Sequence, residues 1–389
     1  MKITRRDFSF LLSASALTIF AFALSAQKPA TDSHYLALVG TYTTKTESKG
    51  IYAYDFDSAT GKLTARGLAA ETPDPSWITI HPNGKWAYAA NEAGKQSTVS
   101  AFAVDAKSAK LTLLNQLPAL GEDPCYLSFD KTGKYLFVAN YTSGNVVVFP
   151  ILRDGKLGEH TANVKDEGTL GPNKERQDGP HAHWIEASPD NRFVFVSDLG
   201  LDQILSYRFD SSKGSLTPND PPFAKLAPAA GPRHVTFHPS GKFVYVVSEL
   251  SFTVTAFSYD PAKGSLHELQ AISTLPKDSH GRNDTAEIAV HPSGKWLFAS
   301  NRGHDSIAVF AIDAATGTLT PAGVFPTGGK EPRHFALDPT GQFLLAENQN
   351  SNSIVVFHIN PATGALTQVS QTDAVPSPVC LSFVPSPHL

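Results

Sequence analysis

A chain of 389 residues that sets 32 Lys and Arg against 36 Asp and Glu carries a formal charge of −4, so it offers no basic footprint for nucleic acid or an anionic membrane. Its 2 cysteines, Cys125 and Cys380, are too few for a disulfide framework, and packing has to supply the stability. No Pro- or Ser-rich linker divides a length well beyond one ordinary compact domain, which points to a repeat architecture.

The chain opens on Thr4-Arg5-Arg6-Asp7-Phe8, followed by an apolar run over residues 11–24 and the small residues Ser25 and Ala26. A basic start, a short apolar run and small residues predict an export signal over residues 1–26. The arginine pair resembles the twin-arginine motif, which exports folded proteins. The run is too short to span a bilayer comfortably, so cleavage is expected over anchoring, with no membrane partner for the mature chain. The expected location is periplasmic or secreted.

Three predicted strands follow, at 35–42, 51–56 and 63–68. From Pro75 a longer signature sets in: an apolar strand, the turn His81-Pro82-Asn83-Gly84-Lys85, and a second strand ending at Asn91. It returns from Pro124 to Asn140 around Asp130, then around Ser188, His238, His291 and Asp338, about fifty residues apart each time. Each copy runs on into a third apolar stretch, such as 307–310 or 354–357, and a fourth strand after Asp/Asn-x-x-x-Gly-x-Leu-Thr, as at 313–320 and 360–367. A last stretch, 378–384, repeats the first strand of the signature. Val, Ile, Phe, Tyr and Ala fill these strands without a helical period, which argues against an α-solenoid. The pattern predicts an all-β, seven-bladed β-propeller over residues 34–385, with four antiparallel strands per blade. Its seventh blade is closed by the N-terminal strands plus the C-terminal strand, which covers the free edges and makes a monomer the expected state.

Blades are counted here from the copy that begins at Pro75. His81, His238 and His291 share one turn slot with Asp130, Ser188 and Asp338, as side chains that cap turns do, and are assigned to the scaffold. Five positions earlier, where the first strand enters the central channel, the blades carry Ser76, Cys125, His183, Arg233, Ala286, Arg333 and Val379. The next positions hold Trp77, Tyr126, Trp184, His234, Glu287, His334 and Cys380. The ends of the second strands are expected at the same channel mouth, and they carry Glu92, Glu249 and Arg302 among Asn91, Asn140, Asp198, Asn301 and Asn348. Residues that differ while the framework repeats suit a ligand without sevenfold symmetry.

His181, His183, Arg233, His234, Glu249, Arg302, Arg333 and His334 fall on blades three to six and predict a cationic cluster around one carboxylate. Arg forms bidentate contacts to carboxylate or phosphate and His exchanges protons near neutral pH, so the cluster suits an anionic small molecule, with His181, His234, Arg333 and His334 read as substrate contacts. An Arg–Glu network around a water-filled channel is the structural alternative. The oxygen donors at this mouth could hold Ca²⁺, but the interleaved Arg and His would repel it, so no metal or cofactor is expected. Gly-x-Ser-x-Gly and His-Glu-x-x-His do not occur in the sequence.

The stretches His181-Ala182-His183, Gly231-Pro232-Arg233-His234, Ser248-Glu249 and Ser300-Asn301-Arg302-Gly303-His304-Asp305-Ser306-Ile307 resemble the lactonase family of seven-bladed propellers. That family includes the bacterial propeller-type 6-phosphogluconolactonases and the fungal 3-carboxy-cis,cis-muconate lactonising enzyme. The resemblance covers about 35–383 and implies active-site roles for His183, Arg233, Glu249 and Arg302. It implies a carboxylic-ester hydrolase that opens a sugar lactone, with Glu249 or His183 activating water and Arg233 and Arg302 holding the anionic substrate. Cyclisation of an unsaturated dicarboxylate by a cycloisomerase is one alternative; a ligand- or protein-binding propeller without catalysis is another. A phosphosugar lactone of the pentose phosphate route is cytoplasmic, so an exported chain is expected either to act on another sugar or carboxylated lactone or to share the 6-phosphogluconolactonase activity by likeness only.

Overall fold

Apolar strands broken at tight turns fold into seven four-stranded antiparallel sheets, six of them following chain order from one edge to the other. The computed structural model describes residues 34–385, so the expected signal over residues 1–26 lies outside the described residues. Blade one is typical, with an inner strand Pro75–Ile80, a second strand Trp86–Asn91, then Thr98–Asp105 and Lys110–Pro118 at the rim. The inner strands of blades two to six are Pro124–Phe129, Ala182–Ala187, Pro232–Phe237, Asp284–Val290 and Pro332–Leu337. Blade seven takes its inner strand, Pro378–Phe383, from one end of the chain and His34–Thr41, Gly50–Asp57 and Lys62–Glu71 from the other.

The inner strands contact one another from blade to blade, and Pro378–Phe383 touches Pro75–Ile80, so the ring is closed. The core lies between the facing sides of neighbouring blades. Leu36, Leu38 and Ile51 of blade seven pack on Ile78, Ala87 and Phe102 of blade one, and Ala37, Val39 and Leu381 pack on Leu345, Ile354 and Val356 of blade six. Both ends of the chain are thereby sealed into continuous apolar layers. Cys125 and Cys380 are free and buried, and among the described residues no helix is long and apolar enough to cross a membrane.

The turn histidines cap their turns as their shared slot predicts and also reach further. In His81, His238 and His291, Nδ1 accepts a backbone N–H two residues on, at 3.1 Å in each case. The other ring nitrogen must then carry the proton, and Nε2 donates to the carbonyls of Gly133, Gly294 and Gly341 at 3.0, 3.0 and 2.7 Å. Each acceptor sits in the turn of the next blade, at a glycine with φ of 71–72° where a side chain would be strained. These histidines fasten neighbouring blades together.

Candidate active site

The inner strands share a local irregularity that decides where their side chains go. Pairing of the first with the second strand skips Ser76, Cys125, His183, Arg233 and Arg333, and in blade five it skips both Ala286 and Glu287. A bulged residue is unpaired and the strand bends there, so the strict alternation of faces is broken. The consequence is visible at Arg233 and His234, neighbours in sequence whose side chains meet at 3.3 Å, Nη1 to Nε2. In each blade the bulge lies beside the last residues of the second strand, as in the pairs Ala182↔Asp198 and Pro232↔Ser248. Inner-strand bulges and second-strand ends therefore share one face of the ring.

On that face lies a cleft of about 250 Å³ lined by Cys125, His183, Glu249, Arg302 and Arg333, with Glu92, Asp123, Tyr141, Thr142 and Arg176 around them. Glu249 is its centre. Its Oε2 is 3.0 Å from Arg233 Nε and 2.9 Å from Arg302 Nη2, while Oε1 accepts a hydrogen bond from Arg176 Nη2. Burial alone would raise this carboxyl, but Arg302, Arg233 and Arg176 outweigh it and hold it well below the usual carboxylate range. The arginines are pinned from behind, Arg233 Nη1 by the carbonyl of Ala286 at 2.7 Å and Arg302 Nη2 by that of Thr285 at 3.1 Å.

Burial, with Arg302 and Arg333 nearby, lowers Arg233 to about 10, which leaves it charged at neutral pH. Burial also opposes the charge on Arg333, yet Tyr42 and Glu92 more than restore it. Its guanidinium lies 5.4 Å from the Tyr42 ring centroid and 3.9 Å from Glu92 Oε1, and Tyr42 donates to Glu92 Oε2 at 2.7 Å. His183 is pushed well below its ordinary range by burial and by Arg233, so it is a neutral imidazole. Cys125 Sγ lies 3.6 Å from its Nδ1, and burial raises that thiol far above neutrality, so the site holds no ready thiolate nucleophile.

The structure brings His183, Glu249, Arg302 and Arg333 into the cleft lining, with Arg233 buried against Glu249 just behind it, and separates the other three expected residues from that lining. His181 stacks on Tyr141 at 4.6 Å, with Nδ1 at 3.0 Å from the Tyr141 carbonyl and Nε2 at 3.0 Å from Asp178 Oδ1. It holds a loop. His234 and His334 turn to buried carboxylates instead, Glu287 at 3.0 Å and Glu347 at 2.6 Å from their Nδ1 atoms. The second-strand asparagines are occupied by the chain leading in from the preceding blade: Asn91 bonds Thr72 Oγ1 at 2.8 Å, and Asn140 and Asn301 bond the carbonyls of Ala119 and Thr274 at 3.2 and 3.3 Å. Among the described residues no three His, Cys, Asp or Glu are arranged to hold a metal.

Sequence reasoning missed Arg176. It stands in the loop between the rim strand of blade two, Ala162–Lys165, and the inner strand of blade three, outside the repeat frame. The loop is held by Gln177, whose Nε2 donates to the Leu199 carbonyl at 2.9 Å and to Asp202 Oδ1 at 2.8 Å. The only available signal was the extra length of this interval, which carries one arginine beside an insertion.

Fold and site together define a seven-bladed propeller with a charged cleft in which arginines converge on Glu249. The chain matches the family model for the lactonase, a 7-bladed beta-propeller, over residues 36–383, and it belongs to that family. It is 37% identical over 350 residues to the 6-phosphogluconolactonase of Bacillus subtilis (strain 168), covering 90% of this chain and 98% of that one. The 6-phosphogluconolactonase of Formosa agariphila is 34% identical over 302 residues, covering 76% of this chain and 84% of its own length. The solved structure of a periplasmic gluconolactonase from Pseudomonas aeruginosa superposes with a TM-score of 0.85 at 34% identity, over 91% of this chain and 100% of that chain. The named relatives are lactone hydrolases.

Proposed function

We propose that this chain hydrolyses a sugar lactone of the gluconolactone or 6-phosphogluconolactone type in the cleft around Glu249, at one mouth of the propeller channel. The observation that carries the reading is the convergence of Arg176, Arg233 and Arg302 on one carboxylate beside a neutral histidine. Ester opening builds negative charge on the carbonyl oxygen, and fixed guanidiniums stabilise such charge best where water is scarce. Both carboxylate oxygens of Glu249 are engaged by arginines, so its work is to hold the guanidiniums together. His183 is unprotonated and lines the cleft, so it is assigned the proton transfers. Water attacks the lactone carbonyl carbon as His183 takes its proton; the tetrahedral oxyanion faces Arg233 and Arg302; the ring C–O bond then breaks and the ring oxygen receives that proton. Arg176 and Arg333 are left to hold an anionic group at the far end of the substrate.

Proton release from purified protein, followed by pH-stat on both lactones, tests this directly. Arg233→Ala and Arg302→Ala are each expected to lose about a hundredfold or more in kcat while remaining folded. Near-normal turnover in either would remove that arginine from the mechanism.

We also propose export to the periplasm. The basic, apolar and small-residue opening supports it, as does the likeness to a periplasmic gluconolactonase. Replacing Arg5 and Arg6 by Lys should retain the chain in the cytoplasmic fraction; unaltered export would exclude the twin-arginine route.

A further inference from the structure

A row of buried ionisable groups runs behind the cleft. Glu347 Oε2 lies 2.6 Å from His334 Nδ1, His334 Nε2 lies 3.5 Å from Glu287 Oε2, and the same Glu287 oxygen lies 3.0 Å from His234 Nδ1. His234 Nε2 closes the row against Arg233 Nη1 at 3.3 Å. A guanidinium has N–H donors and no acceptor, so His234 Nε2 must be the acceptor at that contact. The ring proton then resides on Nδ1 and is donated to Glu287, which has to present an acceptor oxygen.

The ring is wedged. The rings of Trp77, Tyr126 and His183 stand roughly edge-on to it, with centroids at 5.3, 5.0 and 5.2 Å, and Glu287 Oε1 is itself tied to the Ile288 backbone N–H at 2.9 Å. The bulge in Pro232–Phe237 brings the side chains of Arg233 and His234 together, and the two-residue bulge in Asp284–Val290 includes Glu287.

We propose that His234 and Glu287 form a positioning dyad that presents a neutral acceptor to Arg233 and so holds its guanidinium aimed at the reacting carbonyl. Burial, together with Arg233, His334 and Arg333, keeps His234 unprotonated, against the weaker pull of Glu249. A proton on Nε2 would replace the acceptor by a second cation against Arg233 in a dry site, and the guanidinium would be driven from its place. The dyad thus acts on turnover through Arg233 without touching substrate.

This inference rests on the proposed hydrolysis, and two variants separate positioning from packing. His234→Phe keeps a ring in the wedge but offers no acceptor. His234→Gln gives up the ring yet can turn an amide oxygen to Arg233 and an N–H to Glu287. The expected result is a loss in kcat on the order of tenfold to a hundredfold for His234→Phe, with KM little changed, and substantial recovery in His234→Gln. A purely structural role predicts the opposite order, and equal or better kcat in His234→Phe would overturn the dyad. ¹⁵N NMR of the imidazoles in the whole wild-type chain supplies a readout that needs no activity: His234 should be the Nδ1–H tautomer, and an Nε2–H or doubly protonated ring at neutral pH would overturn the proposal. A wild-type chain inert toward lactones but with His234 as Nδ1–H would sink the hydrolase reading and leave the Arg233–His234–Glu287 geometry standing.

Discussion

Arg176 and Arg333 differ from the arginines behind Glu249 in being more open, with side chains 37% and 20% exposed against 3% for Arg233. An exposed guanidinium at the rim gives binding, while a buried one fixed by carbonyls stabilises charge that develops during reaction. Arg176→Ala is accordingly expected to raise KM for the phosphorylated lactone by about tenfold while changing KM for the neutral lactone little. Steady-state kinetics on the pair of substrates checks this, and an equal effect on both would show that Arg176 does not read the anionic group. The slots of the repeat were enough to bring His183, Arg233, Glu249, Arg302 and Arg333 together from sequence, because each is an exception to a periodic framework. His234 and His334 occupy the next position of the same strands, and their turn toward Glu287 and Glu347 depends on the bulges. Arg176 lies on a loop with no counterpart in other blades, and its approach to Glu249 is a purely tertiary event.

At the scale of the strand pair, each blade combines a regular turn with an irregular entry. The turn was legible: Gly-Lys after a capping residue is a local signal, and the histidines there do cap. Their second bond, to the next blade, was not legible, since it joins residues such as His238 and Gly294 that meet only when the sheets pack. His238→Ala removes the bonds of a largely buried ring to Ser240 and Gly294 and should cost about 1 kcal/mol of stability or somewhat more, read as a lower midpoint in denaturant unfolding, with kcat unchanged. A loss of turnover without loss of stability would contradict the assignment of this histidine to the scaffold. The entry bulge is the opposite case. Nothing in Pro-x-x at the start of a strand announces an unpaired residue, yet the bulge is what lets adjacent side chains such as Arg233 and His234 serve one site.

For the whole molecule the period of about fifty residues was sufficient, because seven copies of one strand pattern leave few ways to bury their apolar faces. The closure of blade seven was readable for the same reason: residues 378–384 repeat a first strand and the opening strands repeat the remaining three, and they pair as Val39↔Leu381 and Leu38↔Ser382. Closure matters to the chemistry, since the cleft draws its groups from different blades and can hold Arg233 and Arg302 each within 3.0 Å of Glu249 Oε2 only if the ring keeps its diameter. The ring thus supplies the rigidity on which the electrostatics of the cleft depend. The claim that lactone opening takes place there is tested most directly by a crystal structure of the chain with its hydroxyacid product, gluconate or 6-phosphogluconate. The account predicts the new carboxylate within hydrogen-bonding distance of Arg233 or Arg302 and the far end of the product toward Arg176 and Arg333. A product bound outside this cleft, or inside it with the carboxylate turned away from both buried arginines, would contradict it.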